Sequence, residues 1–407
     1  MTSLAILNGR IVDPAAGSVI AGGVLIRDGR IAEVGMIDMP PGVETLDARG
    51  ALIAPGIVDI GCFAIDMPAF AAGGITRTAL MPDQSPPIDD GALVQRALAA
   101  GKPALWVHPI AAATHGLGGT ELAEIGLMAA AGACAVATGR ARIADARVMH
   151  RLLGYAGALG LVTIAHAEDD GLVRGAVATD GETATRLGLP SAPAIAEAMA
   201  VARDLMLAEQ TGAALHFRQL TTAAAFDLVR AAKARGLPVT CGITPAHLYL
   251  SDAEVGPFRT FARLSPPLRC EADRQAARTA IADGTIDLLC SGHDPRGSEE
   301  KRLPFTEAEP GMAGAETLLA LSLGLVRDGL ISLPRLFDLL SAAPARRFGL
   351  PGGSMAPGAD ADLILVDENA PWRISAQTMA AVAGNTPFDG LPVQGRVRTV
   401  IKGGRIL

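Results

Sequence analysis

Ala214-Leu215-His216-Phe217, Thr222 through Arg235, and Gly236-Leu237-Pro238-Val239-Thr240-Cys241 follow one another closely, and they read as strand, helix, strand. Thr221 or Thr222 can cap the first turn of the middle piece, Gly236 stops it, and Pro238 just beyond cannot continue it. The same alternation runs on both sides. Short β-branched runs begin near Ile57, Thr78, Ala104, Ala133, Leu161, Ala214, Val239 and Ile286, each followed by a stretch of helical character. Eight such β-then-α units within about 300 residues predict a (β/α)8 TIM-type barrel of the α/β class rather than an open sheet.

The two ends are written differently. From Leu4 to about Ile53, strand-like runs are joined by Asn8-Gly9 and Asp28-Gly29, pairs that accept the positive φ of tight turns. Asp362-Leu363-Ile364-Leu365-Val366 and Gly395 to Gly404 repeat the style. Neither end is long enough to bury a core alone. Residues 1–54 plus 354–407 are therefore expected to form one small composite β-sandwich, with 55–353 as the barrel. Gly352-Gly353 and Pro357-Gly358 mark the turns between them.

Composition narrows the function. The 407 residues are 50% hydrophobic and 19% charged, and the net charge of −7 argues against a nucleic-acid grip, which needs a basic face. No apolar run reaches the roughly 18 residues of a membrane helix, and the start lacks the layout of a signal peptide. Cys62, Cys134, Cys241, Cys270 and Cys290 are odd in number and never spaced as C-x-x-C. Reduced, buried thiols in a cytoplasmic protein are expected, rather than disulfides or a cysteine zinc site. With aromatics at only 3%, the core must be aliphatic.

Ala54-Pro55-Gly56-Ile57-Val58-Asp59 resembles the start of the barrel in the cyclic amidohydrolases. Further phrases of that family follow in order. They include Gly73-Gly74-Ile75-Thr76, Met81-Pro82, His166-Ala167-Glu168-Asp169, Thr244-Pro245-Ala246-His247-Leu248, Pro266-Pro267-Leu268-Arg269 and Gly358-Ala359-Asp360-Ala361-Asp362-Leu363. The resemblance is to dihydroorotase of the long bacterial type and spans nearly the whole chain. It implies ring opening or closure of a cyclic amide by zinc-held hydroxide at the rim of the barrel.

Set against that resemblance, the ligand positions are changed. The His-x-His of the first strand falls on Gly61 and Phe63. Thr138 stands in the acidic turn after the fourth strand, Gln219 replaces the histidine after the sixth, and Gly292 replaces the aspartate that would be both ligand and proton acceptor. Only His166 survives. The substrate-binding positions are altered too, to Ile65, Asp83 and Arg296. Glu168, His293 and Asp294 remain as polar rim residues, and with His166 and Cys290 they are the candidates for a rebuilt metal site. Cys62 has the parity of a residue facing the helices.

The resemblance thus implies a catalytically silent dihydroorotase homologue with no cofactor. Such a chain would be an oligomeric structural or regulatory subunit partnering the aspartate transcarbamoylase catalytic chain in pyrimidine synthesis. Two alternatives stay open. One is an active metal-dependent cyclic amidohydrolase (dihydroorotase, hydantoinase or allantoinase type) with an altered zinc site. The other is a sensor of anions or pyrimidine intermediates, using Arg140, Arg218 and Arg296.

Overall fold

The computed structural model describes residues 3–38 and 42–407. Five strands precede the barrel: β1 (Ser3–Asp13), β2 (Ser18–Arg27), β3 (Arg30–Gly35), β4 (Glu44–Asp47) and β5 (Leu52–Pro55). The barrel begins with β6 (Ile57–Cys62), β7 (Ile75–Leu80), β8 (Trp106–Ala112), β9 (Ala135–Ala137) and β10 (Val162–Ala165). A two-stranded excursion follows, β11 (Ala178–Thr179) and β12 (Ser191–Ala192). Then β13 (Leu215–Phe217), β14 (Val239–Ile243) and β15 (Leu288–Leu289) complete the ring, and β16 (Leu363–Arg373), β17 (Pro392–Lys402) and β18 (Arg405–Ile406) end the chain.

The eight barrel strands lie side by side in chain order, and every pair is parallel. Each is followed by a helix, from Met67–Gly73 after β6 to Leu318–Arg327 after β15. The helix read from the opening stretch spans Ala223–Ala234, with the Thr222 hydroxyl accepting from Ala225 N and Arg235 closing its end just before Gly236. The seam between β15 and β6 is held differently. Phe63 N donates to His293 O at 2.8 Å, and Ser291 donates from both its backbone N and its hydroxyl to the buried Asp59 carboxylate.

Val58, Ile60, Ala79, Ile110, Ala135, Ala137 and Ile164 fill the barrel, whereas Ile57, Cys62, Leu80 and Val136 pack outward against the helices. Simple alternation would send Cys62 inward with Val58 and Ile60. A register shift between Ile60 and Cys62, with Gly61 at φ +88°, resets the parity. Residues 61 and 63 consequently face the interior and the Cys62 thiol faces out, 2.7 Å from the Thr78 hydroxyl. Phe63 joins the inner cluster.

The two termini share one continuous mixed sheet in the order β18-β17-β16-β5-β1-β2-β3, with β4 also on β1. It closes around Ile6, Ile11, Val24, Ile26, Ile53, Leu363 and Ile401. The composite unit expected of the two ends is thus formed, its strands from both termini joined in one hydrogen-bonded order. Arg77 ties it to the barrel: this β7 side chain is 2% exposed and sits 2.6 Å from Asp360 and 2.7 Å from Asp362. Gly352, at φ +98°, lies where a side chain would strike Arg77 Nε. Among the described residues no helix is long and apolar enough to cross a membrane.

Candidate active site

The C-terminal ends of the strands open on a cavity of about 30 Å3 lined by Phe63, Arg140, Arg218, Gln219, Thr244, His247, Gly292, Asp294 and Met312, among others. That is room for a water or two, or for the head of a planar ion. The segment after Ile65 forms the helix Met67–Gly73, and the stretch 374–390 lies against the mouth. Ile374 and Phe388 pack with Met312, and Asn385 Nδ2 donates to Asp294 O at 3.3 Å and Gly311 O at 3.1 Å.

His166 follows β10, its backbone N held by the Thr138 hydroxyl at 3.0 Å. Its Nε2 lies 3.3 Å from Glu168 Oε2, and its Nδ1 lies 3.4 Å from Arg218 Nη2. A guanidinium only donates, so Nδ1 accepts and the ring proton sits on Nε2, facing the carboxylate. Burial by itself would push the Glu168 pKa up. The hydrogen bond from His166 and the charge of Arg269, 2.8 Å away, outweigh it and hold the carboxyl at about 2.

On the other side of the mouth, Gln219 Nε2 donates to His247 Nδ1 at 2.8 Å while His247 Nε2 reaches the Pro266 carbonyl at 3.1 Å. A carbonyl only accepts, so the proton is on Nε2. Burial brings the His247 pKa down to about 4, which keeps the ring neutral near pH 7. Arg140 caps the cavity, its guanidinium stacked 3.8 Å from the Phe63 ring centre and forked onto Asp294 at 2.6 and 3.0 Å. Asp294 is also 3.1 Å from Arg296. Asp83 accepts from Arg140 N at 2.9 Å, and burial pushes its pKa up.

Other candidates lie elsewhere. Ile65 lines a groove with Leu80, Ile88 and Leu93, away from the cavity. His293 is fully buried, tilted against Phe70 and 3.4 Å from Asp66. Cys290 is buried, and that burial pushes its thiol up to about 12. The rebuilt metal cluster of His166, Glu168, His293, Asp294 and Cys290 therefore does not assemble.

The zinc implied by the fold does not suit these residues. Among those described, no three His, Cys, Asp or Glu side chains group as a metal site. Both nitrogens of His166 are engaged, and Asp294 is held by two arginines. A side chain at Gly61 would meet the Arg218 stem, 3.4 Å from its Cγ. A dication would also sit beside the positive charges of Arg140 and Arg218, which repel it.

An eight-stranded parallel barrel carrying a composite sheet of both termini is the architecture of the amidohydrolases. The structure superposes on the solved L-hydantoinase (dihydropyrimidinase) from Arthrobacter aurescens with a TM-score of 0.90 at 24% identity, covering 100% of this chain and 96% of that one. For the D-hydantoinase (dihydropyrimidinase) from a Thermus species the TM-score is 0.86 at 25% identity, covering 99% and 94%. The Dihydro-orotase-like family description matches residues 44–224. The dihydroorotase of Pelotomaculum thermopropionicum is 39% identical over 419 residues, 99% of this chain and 98% of that relative, and that of Syntrophotalea carbinolica is 39% identical over 416 residues, 98% of each. The chain belongs to the dihydroorotase family.

These findings correct the expectation of a silent homologue serving as a structural or regulatory subunit. The curated relatives matched along the full length carry the name dihydroorotase, the superposed structures are hydantoinases, and nothing in either points to an inactive group. The physical reason for the misreading is plain. Missing ligands at Gly61, Phe63, Thr138, Gln219 and Gly292 speak against one donor set. They do not empty the mouth, which still holds a buried carboxylate–imidazole pair, the buried Arg218 guanidinium and the more exposed Arg140. Sequence reasoning assigned no role to His247 or Arg269, although both lie inside quoted family phrases. A polar residue placed within an otherwise apolar motif was the available signal.

Proposed function

We propose that the chain is a cyclic amidohydrolase of the dihydroorotase type, opening or closing a small cyclic amide that bears a negative charge. Full-length identity of 39% with dihydroorotases carries the reading. The arginines at the barrel mouth support the anionic character of the ligand, because a cleft lined by positive charge concentrates anions.

Hydrolysis of an amide needs a group that takes a proton from attacking water and donors for the oxygen that gains charge. His166 fits the first need once Arg218 is drawn off it: Glu168 holds its Nε2–H, so Nδ1, which accepts from Arg218 at 3.4 Å, becomes the basic atom when a bound anion engages that arginine. Arg140 and Arg218 are the charged donors lining that cavity. The test is incubation of the purified protein with dihydroorotate, and separately with carbamoyl aspartate, with and without added zinc, products being separated by chromatography. Interconversion is expected, and His166→Ala should slow it by about 100-fold or more without loss of fold. A folded protein that turns over neither these nor a hydantoin nor allantoin would overturn the reading.

A cytoplasmic location is part of the proposal and suits the five free cysteines. So is association with an aspartate transcarbamoylase chain, for which co-expression should give a single co-eluting complex. Two separate elution peaks would remove that association.

A further inference from the structure

Arg218 is the anomaly of this site. It is 6% exposed, yet no carboxylate among the described residues lies within ion-pairing distance of it. Its Nε has no hydrogen-bond partner, and the contact of its Nη2 with His166 Nδ1 at 3.4 Å is long. The other buried arginines of the barrel are paired: Arg77 with Asp360 and Asp362, Arg269 with Glu168 and Glu197. Asp83 and Asp294 act on it only from beyond ion-pairing distance, and a buried cation without a direct counter-charge is costly and is ordinarily neutralised or paired. The ring of Phe63, 5.0 Å from the guanidinium, gives only a weak substitute.

We propose that Arg218 is the anion-binding group of the barrel mouth, taking a planar carboxylate-type anion in the cavity it shares with Gln219, Thr244 and His247. The size of the cavity suits the head of such an ion, and a guanidinium matches two carboxylate oxygens with two parallel hydrogen bonds. The bond between Arg218 and His166 is long enough for an anion to compete for Nη2, which would leave His166 Nδ1 free. Burial lowers the Arg218 pKa, and a bound counter-charge opposes that effect. A side chain at Gly61 would crowd its stem, so the small residue there is part of the same arrangement.

This deepens the reading of the mouth as the ligand site and rests on it. Its test is binding rather than turnover, so the two can fail separately. Titration calorimetry at constant ionic strength, with sodium formate and with dihydroorotate, distinguishes a free small anion from the carboxylate of a cyclic amide. Saturable binding of at least one is expected in the wild type, weakened at least tenfold in Arg218→Met and partly kept in Arg218→Lys. The urea midpoint of Arg218→Met should equal or exceed that of the wild type, because an unpaired buried charge is removed. Equal affinity in wild type and Arg218→Met, no binding of either ligand to the wild type, or a lower urea midpoint for Arg218→Met would each overturn the proposal.

Discussion

Arg269→Met is expected to lower stability by about 3–5 kcal/mol, read as a fall in the urea midpoint at neutral pH. Arg269 is 3% exposed and serves two buried carboxylates, with Nη2 2.8 Å from Glu168 and 3.6 Å from Glu197. Its Nε and Nη1 donate to the hydroxyls of Thr221 and Thr179. Glu197 in turn accepts from the backbone and hydroxyl groups of Thr221 and Thr222, at the start of the helix Ala223–Ala234. Removing the cation strands both charges at once.

The pH dependence has a definite sign. The folded pKa of Glu168, about 2, lies below its ordinary value near 4.5. Its contribution to stability is therefore complete above about pH 4.5 and is lost as the pH falls toward 2. Without Arg269 that loss begins at higher pH, and the gap between wild type and variant narrows in acid. Adding Glu168→Gln and Glu197→Gln to Arg269→Met should recover much of the deficit, since no buried charge then remains unpaired. Equal midpoints, or a gap that widens on acidification, would refute this account.

Arg77→Met should cost a comparable amount, about 3–5 kcal/mol, through a different interface. Asp362 is 3% exposed and has few other partners: Gly403 N at 2.7 Å and Trp106 Nε1 at 3.3 Å. The loss of Arg77 leaves its carboxylate at the junction of barrel and terminal sheet. Limited proteolysis should then cut the turns around Gly352 to Gly358 sooner than in the wild type. The double variant Arg77→Met, Asp362→Asn should resist cleavage better than Arg77→Met alone. An unchanged proteolytic pattern in Arg77→Met would show that the ion pair does not hold the two units together.

Much of the fold was legible in the sequence. The eight strand starts fall within three residues of those observed, from Ile57 for β6 to Leu288 for β15, because β-branched runs and glycine stops follow local chemistry. The helix cap is a local hydrogen bond, and of the two threonines the sequence offered, Thr221 and Thr222, it is Thr222 that makes it. The bulge at Gly61 breaks strand alternation without any local signal, yet the family register still assigned residues 61 and 63 to one face. The cover formed by 374–390 has no periodicity, so nothing in its sequence announced that Asn385 would bind Asp294 and Gly311.

The site was legible as a set of absences. His166, Glu168 and Asp294 were named, and Arg140 and Arg218 as anion-attracting groups, but the pairings were not, because these arginines and Arg269 reach their partners from distant parts of the chain. Replacement of a ligand by Gly61 or Gln219 reveals what a position can no longer coordinate. Only three-dimensional packing reveals that an arginine stem occupies the space next to Gly61 and that Gln219 orients His247. Reading the losses without the gains led to the silent-homologue expectation that the relatives correct.

The pairing of β5 with β16 joins Leu52 to Val366 and Pro55 to Leu363. During synthesis on the ribosome, β5 must therefore wait with one edge unsatisfied until more than 300 further residues have emerged. Contacts so distant in sequence slow folding, and an open strand edge invites pairing with another nascent chain. Polysomes translating this message would thus gain from chaperone shielding of the first fifty residues, and truncation before β16 should yield insoluble product even where the barrel sequence is intact.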